Sequence, residues 1–353
     1  MNFHSLAAKY LQAYDVAKSH VNARASKKDI KSYLKSREIL TAEQKKQVEE
    51  FWKPYTKVTS VFHAFYLEKT GNFHPAYIPT DLYYTKIDPY FNPASKSAVL
   101  DNKCLYSRLF PGIPQPQVVL SRMNGYWFSG QQRVSWQEAQ SILDKEEAVF
   151  AKVAAGSCSG KGVFYLSSEN GSIAEQFAKQ VKVTNDIVVQ RPVVQHPVFA
   201  KMNASSVNTY RILSVLTDEG VKCYSALVRI GVDNRKVDNR GLSCGVQPDG
   251  KLNARAYRLN GESFTKHPNH GFTFADYQLI SFDKAKALIE KAHPMVPYFR
   301  MISWDIAINE DGEPVMLEAN FARGCLDFLQ LNNGPLFGDD TKKILDEVFG
   351  KNK

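Results

Sequence analysis

The stretch MISWDIAINEDGEPVMLEAN, residues 301–320, predicts two strands joined by a tight turn, and the rest of the fold can be organised around it. Asp311-Gly312 is typical of a two-residue hairpin turn in which both positions have positive φ. Antiparallel pairing about this turn places Asp305 directly opposite Glu318. The stretch therefore predicts a hairpin that brings two carboxylates together.

Alternation of side chains along the two strands separates a polar face from an apolar face. In the same register Ser303 lies opposite Asn320, and Asp305, Glu318 and Asn320 share the polar face. The other face is apolar and consists of Ile302, Trp304, Ile306, Val315 and Leu317.

The polar face has the composition of a metal site. Two opposed carboxylates with Cβ atoms about 5 Å apart repel each other unless a cation lies between them. Asp305, Glu318 and Asn320 offer only oxygen ligands, a set that suits magnesium or manganese. The alternative is a polar edge that faces solvent, where the repulsion costs little.

A second hairpin is predicted by NTYRILSVLTDEGVKCYSALVRIG, residues 208–231, with a three-residue turn that ends at Gly220 in the left-handed region. Arg211 then faces Leu227, and Arg211 and Arg229 lie on one face within roughly 8 Å of each other. Two guanidinium groups match a phosphate. Pairing of each arginine with a nearby carboxylate is the alternative.

A glycine-rich loop follows a strand in FAKVAAGSCSGKGVFYL, residues 150–166, and Lys152 lies on that strand. Such a loop can fold over phosphates and donate backbone N–H groups to them. It is not a Walker A loop, because Gly162 replaces the Ser or Thr and a strand follows instead of a helix. A surface hairpin rich in glycine is the alternative.

The 353-residue chain is long enough for two or three domains. Residues 1–50 lack Gly and Pro and predict helices, and Thr41 with Gln44 has the signature of a capping box. Residues 60–97 are aromatic and proline-rich and indicate irregular structure. From Asp101 onward, short strands alternate with helices. We therefore expect an α+β or α/β core behind a helical N-terminal extension.

The composition is that of a soluble globular protein, with 44% hydrophobic and 23% charged residues. No apolar run is long enough to cross a membrane, and no signal peptide is visible. The net charge of +9 comes from dispersed basic residues without aromatic interleaving, which favours a solvated surface over a nucleic-acid partner. Five scattered cysteines indicate reduced thiols and a cytoplasmic location. They are Cys104, Cys158, Cys223, Cys244 and Cys325.

The order of these motifs resembles the ATP-grasp superfamily. The likeness is closest to the sugar-transfer-associated ATP-grasp branch, related to the alpha-L-glutamate ligases, and extends from about residue 50 to the C-terminus. It is carried by SVNTYRI, LVRIG, VDN, HP, SWDIAI and EANFARG. The resemblance implies an α+β ATP-grasp fold, in which two lobes grip ATP, behind the helical N-terminal extension. It divides the chain into a helical extension, a pre-ATP-grasp region, a small lid lobe and a C-terminal lobe, at residues 1–58, 59–145, 146–193 and 194–350.

The resemblance also implies roles for single residues. The predicted phosphate contacts are Lys103, Lys152, Gly156, Ser157, Ser159, Gly160, Lys161 and Gly162. The predicted adenine contacts, made largely by backbone groups, are Gln190, Arg191, Pro192 and Val193. The predicted catalytic residues at the transferred phosphate are Arg211, Arg229 and Asn239. Asp305, Glu318 and Asn320 would hold two magnesium ions, and Arg323 would take part in recognising the acceptor.

The activity implied by the resemblance is ATP-dependent joining of a small-molecule carboxylate to an amine through an acyl-phosphate. An amino acid or a sugar-linked acceptor in polysaccharide biosynthesis is the expected substrate. The alternatives are a kinase and a non-catalytic ATP-binding partner of a glycosyltransferase. The N-terminal helices leave three roles open, namely acceptor binding, packing on the core and homodimer formation. His267 and His270 flank a proline turn, which disfavours a metal pair there.

Overall fold

The fold consists of helices packed around two antiparallel sheets, seen in a computed structural model that describes residues 3–36, 38–156, 162–181, 186–237, 241–322 and 324–350. The α-helices are α1 Phe3–Tyr33, α2 Ala42–Trp52, α3 Val61–Thr70, α4 Thr80–Leu82, α5 Asp88–Phe91, α6 Ala94–Leu100, α7 Tyr106–Leu109, α8 Trp136–Leu143, α9 Ile173–Gln180, α10 Pro197–Ala200, α11 Phe282–Ala292, α12 Leu326–Asn333 and α13 Thr341–Val348. A π-helical segment, Tyr83–Ile87, joins α4 to α5. Short 3-10 helices span Lys103–Leu105, Ser168–Asn170, Phe274–Asp276, His293–Met295 and Gly338–Asp340.

The strands of the described residues form a six-stranded and a seven-stranded sheet. The strands are β1 Val118–Met123, β2 Tyr126–Ser129, β3 Gln132–Val134, β4 Ala148–Val153, β5 Val163–Ser167, β6 Ile187–Gln190, β7 Thr209–Thr217, β8 Gly220–Ile230, β9 Leu242–Val246, β10 Leu252–Tyr257, β11 Ser263–Phe264, β12 Met301–Ile308 and β13 Pro314–Asn320. The six-stranded sheet has the order β3-β2-β1-β6-β4-β5, and the seven-stranded sheet has the order β11-β10-β9-β8-β7-β12-β13. The expected mixture of helices and strands is thus confirmed.

The N-terminal region is helical, as the sequence predicts. The capping box is present at the start of α2, where the backbone N–H of Gln44 donates to Thr41 Oγ1 over 3.1 Å and the Thr41 N–H donates back over 3.0 Å. Together these bonds satisfy two of the donors that a helix start leaves without partners.

The prediction of irregular structure over residues 60–97 is wrong, because α3 to α6 occupy most of it. Pro75 lies in a turn between α3 and α4, and the other three prolines lie at or beside helix N-termini, where a missing N–H costs nothing. They are Pro79, Pro89 and Pro93. The aromatic side chains of α3 are buried around most of the helix, so no amphipathic period marks it in the sequence.

In the hairpin of β12 and β13, Asp305 lies opposite Glu318, as predicted, but the turn differs from the prediction. The loop has three residues, 310–312, and only Gly312 has positive φ. The tip is therefore shifted by one residue relative to the predicted pairing. A β-bulge at Leu317 restores the predicted register before the carboxylates are reached.

The hairpin of β7 and β8 shows the same pair of compensating differences. Thr217 lies opposite Gly220, so two residues form the tip instead of the three predicted. A bulge at Tyr224 then restores the register, and Arg211 lies opposite Leu227, as predicted. A bulge inserts one residue into one strand only, and alternation of side chains cannot reveal it before pairing is known.

One face of the seven-stranded sheet packs on α11 and forms the largest core. Ile302, Trp304 and Ile306 belong to this core, as predicted. The prediction that Val315 and Leu317 also lie in this core is wrong, because the bulge shifts the pairing of β13 by one residue and so changes which of its side chains face the core. Met316 and Ala319 fill the core instead.

The opposite face of this sheet is apolar at one end and charged at the other. Leu213, Leu227 and Met301 pack against α2, α12 and α13 in a second core. Two residues along β7 from Leu213 the same face carries Arg211, and on β12 it carries Asp305. The second core therefore gives way to charged residues along this face.

The six-stranded sheet has its own core, formed by one face of β4 and β6 together with α8 and α9. Its strands come from both sides of the predicted boundary at residues 145 and 146. The division into four segments stays a prediction. In the described part of the chain, no helix combines the length and apolarity required to cross a bilayer.

The segment after β13 is held close to the sheet by Gly324. A Cβ added there would lie 2.3 Å from Ser303 Oγ and 3.1 Å from Ser303 Cβ, both in β12. We expect Gly324→Ala to lower the free energy of unfolding by about 1–3 kcal/mol, because the added methyl group overpacks this contact. Urea denaturation followed by circular dichroism measures the change.

Ser303→Ala provides the matched background for this test, because it removes the nearest clashing atom. The Ser303 hydroxyl is buried and forms no hydrogen bond with the described residues, so its loss should cost little. Gly324→Ala should cost less in the Ser303→Ala background than in the native protein. An equal loss of stability in the two backgrounds would mean that the contact with the Ser303 hydroxyl is not what excludes a side chain at residue 324.

Candidate active site

A row of three charged residues crosses adjacent strands at the charged end of the seven-stranded sheet. Arg211 on β7 lies opposite Asp305 on β12, and Asp305 lies opposite Glu318 on β13. Antiparallel pairing sets these side chains next to one another on the same face. Asp305 is only 9% exposed, so its charge is largely removed from water.

Arg211 and Asp305 form a bidentate ion pair. Arg211 Nε donates to Asp305 Oδ1 over 2.8 Å, and Arg211 Nη2 donates to Asp305 Oδ2 over 2.6 Å. Burial lowers the pKa of Arg211, but the field and hydrogen bonds of Asp305 outweigh it and leave that pKa above its ordinary value. For Arg211 the sequence left open a phosphate or a nearby carboxylate, and in this structure a carboxylate is its partner.

Glu318 is paired with a lysine on the side of the six-stranded sheet, across the space between the two sheets, which we call the cleft. Lys103 Nζ lies 2.9 Å from Glu318 Oε1. The backbone of Lys103 is fixed on the six-stranded sheet, because its N–H donates to the Ala154 carbonyl at the end of β4. The neighbouring Asn102 donates from Nδ2 to Asp186 Oδ2 over 2.9 Å. Lys103 therefore links the two sheets by one ion pair.

Lys152 on β4 faces the same cleft and has a neutral partner. Its Nζ donates to Gln190 Oε1 on β6 over 2.9 Å. Burial is the largest effect on the pKa of Lys152; Glu318 opposes it, Lys103 adds to it, and together they lower that pKa to about 8. An amide keeps the lysine in place without favouring its charged form as a carboxylate would.

Arg229 lies on the same face as Arg211, as the sequence predicts. It stands opposite Thr209 in the register of β7 and β8. Its guanidinium carbon is 4.8 Å from the centre of the Phe328 ring on α12, a cation–π distance. Its role at a phosphate stays a prediction.

Asp305, Glu318 and Asn320 offer the oxygen donors that magnesium prefers, and their role as its ligands stays a prediction. The amide of Asn320 is oriented, because its Nδ2 donates to the Ser303 carbonyl over 3.0 Å and so presents Oδ1 as an acceptor. Arg211 and Lys103 balance the two carboxylates in this structure. Among the described residues no cluster of three or more His, Cys, Asp or Glu side chains could hold a metal, so the site would depend on the amide.

The glycine loop is described only at its two ends. Gly156 and Gly162 both have positive φ, and the Gly162 carbonyl accepts a hydrogen bond from the Val153 N–H over 2.8 Å. A Cβ at Gly162 would lie 2.7 Å from Val153 Cγ2, so this end requires glycine. Several predicted site residues lie outside the described ranges: Ser157, Ser159, Gly160, Lys161, Asn239 and Arg323.

The predicted adenine contacts begin at Gln190, the last residue of β6, and continue beyond the strand. The Arg191 N–H donates to the Gln117 carbonyl, and Pro192 has no N–H. The Arg191 side chain pairs with Glu146, with Nε 2.6 Å from Oε2. A backbone contact to adenine would therefore use carbonyl oxygens or the N–H of Val193.

Three neighbours of the site carry no signal in the sequence. Asp101 lies near Lys103 and Glu318, and burial raises its pKa. The Tyr106 hydroxyl donates to the Ala319 carbonyl next to Glu318. Phe328 supports Arg229. Each is a common residue type whose position becomes meaningful only after the chain has folded.

The His267–His270 turn does not resemble a metal pair. His267 Nε2 lies 3.0 Å from the Gly231 carbonyl, and the two imidazole rings stack with centroids 5.0 Å apart. Burial lowers the pKa of His267, in keeping with a neutral ring in a packed turn.

This protein has the ATP-grasp fold. Its two antiparallel sheets face each other with side chains that include lysines, arginine and opposed carboxylates. The chain belongs to the sugar-transfer associated ATP-grasp family, whose model matches residues 83–345. No curated protein matches the sequence.

Similar solved structures include three enzymes. Carboxyaminoimidazole ribonucleotide synthase from Aspergillus clavatus, complexed with ATP, has a TM-score of 0.40 and 14% identity over 65% of this chain. The ATP-grasp ligase PsnB, complexed with a phosphomimetic variant of its minimal precursor, Mg and ADP, has a TM-score of 0.42 and 13% identity over 74%. D-alanyl-alanine synthetase A from Vibrio cholerae has a TM-score of 0.38 and 13% identity over 74%. The chain spans 47%, 62% and 65% of these three relatives, respectively.

Gln190→Glu should raise the pKa of Lys152 above its value of about 8, because an adjacent carboxylate favours the ammonium form. With the native glutamine, the folded state loses this proton before the unfolded state does. Stability should therefore rise with pH from about 8 toward the ordinary lysine pKa, and this rise should shrink in the variant. NMR titration of 13Cε-labelled lysine measures the pKa directly.

Gln137→Glu is the matched control for this charge change. Gln137 is exposed on α8, which covers the opposite face of the six-stranded sheet. The Lys152 titration should be unchanged in this variant. An unchanged titration in Gln190→Glu would show that the amide of Gln190 does not set the environment of the lysine.

Proposed function

We propose that the chain is an ATP-dependent ligase that joins a carboxylate to an amine through an acyl-phosphate. The observation that carries the proposal is the row of Arg211, Asp305 and Glu318, which faces Lys103 and Lys152 across the cleft. Such a row offers cations for phosphate oxygens and carboxylates for a divalent ion within one partly buried site.

The basic residues would bind and orient the phosphates of ATP. Lys103 and Lys152 approach from the six-stranded sheet, and the glycine loop between residues 156 and 162 would close over the β- and γ-phosphates. Arg211, Arg229 and Asn239 would neutralise charge on the transferred phosphoryl group. Gln190 to Val193 would contact the adenine edge.

Asp305, Glu318 and Asn320 would hold magnesium, or manganese as the alternative. Bound magnesium supplies positive charge to the phosphate oxygens. Its binding would compete with Lys103 for Glu318, because both cations need the same carboxylate. Lys103 would then be available to a phosphate, which links metal binding to nucleotide binding through one side chain.

The chemistry itself needs no nucleophile from the protein. A substrate carboxylate oxygen attacks the γ-phosphorus in line, the bond to the bridging oxygen breaks, and ADP leaves. The amine nitrogen then attacks the acyl carbon, the amine loses a proton, and inorganic phosphate leaves with the electrons of the broken C–O bond. The side chains named above position the reactants and balance their charge.

The substrates and partners belong to the proposal. The association of the family with sugar transfer supports a sugar-linked acceptor. An amino acid is the other candidate, and either substrate would belong to polysaccharide or related biosynthesis. A glycosyltransferase partner and a cytoplasmic location are parts of the same proposal, and Arg323 would contribute to acceptor recognition.

Glu318→Gln should abolish turnover while the protein stays folded, because the amide keeps the shape of the side chain and loses the charge that a metal requires. Release of ADP and phosphate from ATP, measured over a panel of amino acids and uronic acids, tests this. Hydroxylamine in the assay traps an acyl-phosphate as a hydroxamate, whereas a phosphorylated product without hydroxamate would indicate a kinase.

Glu313→Gln is the matched control, because Glu313 lies on the same hairpin, is exposed and pairs with Lys284. It should retain native turnover. Native turnover in Glu318→Gln would contradict the metal assignment, and equal losses in both variants would point to damage to the hairpin.

Lys152→Ala should weaken ATP binding by about tenfold or more, because a buried cation facing the phosphates is removed. Isothermal titration calorimetry with ATP and magnesium measures the affinity. Lys179→Ala removes an exposed lysine from α9 and should bind ATP as the native protein does. Equal affinities in the two variants would argue against a phosphate contact by Lys152.

A further inference from the structure

A cavity of about 310 Å³ lies between α1 and the start of α12, outside the row of charged residues described above. More of its lining surface is apolar than polar, and the polar side chains in it include Asn22, Ser26, Asp29 and Asp327, with Tyr33 and Cys325 beside them. This volume lies at the lower end of the range for small-molecule sites. The N-terminal helix thus contributes one wall of a site-sized space.

Asp327 brings a carboxylate into the cavity without a basic partner. Its Oδ1 accepts hydrogen bonds from the Tyr66 hydroxyl over 2.7 Å and from Thr80 Oγ1 over 2.6 Å. In the described part of the chain no lysine or arginine lies within ion-pair distance of it. Burial raises the pKa of Asp327, which expresses the cost of this charge. A bound cation would lower that cost.

A second carboxylate, that of Asp29 on α1, also lines the cavity. Burial raises the pKa of Tyr33, and the fields of Asp29 and Asp327 raise it further, so both acids lie close to this one phenol. Lys27 pairs with Asp81, and Lys69 pairs with Glu68 and donates to the Tyr33 backbone carbonyl over 2.6 Å. Two carboxylates therefore line the cavity, although the chain as a whole carries a net charge of +9.

The cavity adjoins the charged row. Cys325 lines it and also acts on the pKa of Arg211. The preceding residue, Gly324, packs against Ser303 on the strand that carries Asp305. Cys325 thus belongs to the part of the chain that follows β13 and its predicted metal ligands.

We propose that this cavity binds the amine substrate, as the primary ammonium group of a small molecule that carries hydroxyl groups; this inference rests on the proposed ligase function. Asp327 and Asp29 would bind the ammonium group. Asn22 and Ser26 would hydrogen-bond to hydroxyls, and the Tyr33 ring would offer an apolar surface to the carbon skeleton. The amine would then be delivered beside the row where the acyl-phosphate forms.

Binding of glucosamine tests the proposal, and N-acetylglucosamine is the neutral control ligand. Both are measured below neutral pH, where the amine of glucosamine is protonated. Saturation-transfer difference NMR on the full chain without ATP measures both dissociation constants. Glucosamine should bind at least about tenfold more tightly than N-acetylglucosamine, because only it carries the charge that the cavity selects. Asp29→Asn and Asp327→Asn should each remove most of this preference.

Asp339→Asn removes an exposed acid far from the cavity and should leave the preference unchanged. Asp327→Asn alters a hydrogen-bonded network, so its thermal unfolding midpoint must match that of the native protein before its binding is compared. If it does not match, Asp29→Asn, which changes an exposed side chain, decides the question. Equal affinities for the two sugars, or a preference that persists in Asp29→Asn, would overturn the proposal.

The hydroxamate assay separates failure of this inference from failure of the proposed function. Hydroxamate formation without charge-selective binding would remove the cavity from the mechanism and leave the ligase intact. Charge-selective binding without hydroxamate from any acid in the panel would overturn the assignment of the cavity to a ligase substrate. Hydroxamate formation together with charge-selective binding would support the cavity as the amine site.

Discussion

The ion pair between Arg211 and Asp305 is the interaction on which the cleft depends. It joins the adjacent strands β7 and β12 where their shared face changes from apolar to charged. In a partly buried place, loss of one member of such a pair leaves the other without compensation, at a cost of about 3–5 kcal/mol. Because Asp305 is already matched, the opposed Glu318 needs a cation of its own, and Lys103 supplies it from the other sheet.

This balance of charge explains how two sheets with separate cores form one site. Each core is complete without the other, since the six-stranded sheet packs on α8 and α9 and the seven-stranded sheet packs on both faces. Between the sheets, Lys103, Lys152 and Glu318 influence one another electrostatically. A ligand that carries both phosphates and a divalent ion would replace these contacts with stronger ones, because it brings partners for both signs of charge.

Much of the fold and part of the site were predictable from the sequence, for reasons that differ between elements. The pairing of Asp305 with Glu318 and of Arg211 with Leu227 followed from alternation and a turn signal, although each turn differed by one residue and a bulge compensated. The helices of residues 60–97 were missed because buried aromatic side chains hide the period of an amphipathic helix. The contacts of Lys103 with Glu318 and of Arg229 with Phe328 join distant segments, and local patterns cannot show them.

The bulges at Leu317 and Tyr224 divide each hairpin into an outer tip and an inner segment that carries the charged residues. The bulge changes the register between the outer tip and the inner segment. The orientation of the inner side chains therefore does not depend on the length of the loop at the tip. The outer tips are therefore places where homologous chains can vary in length, and where a peptide tag can be inserted, without reorienting Asp305 or Arg211.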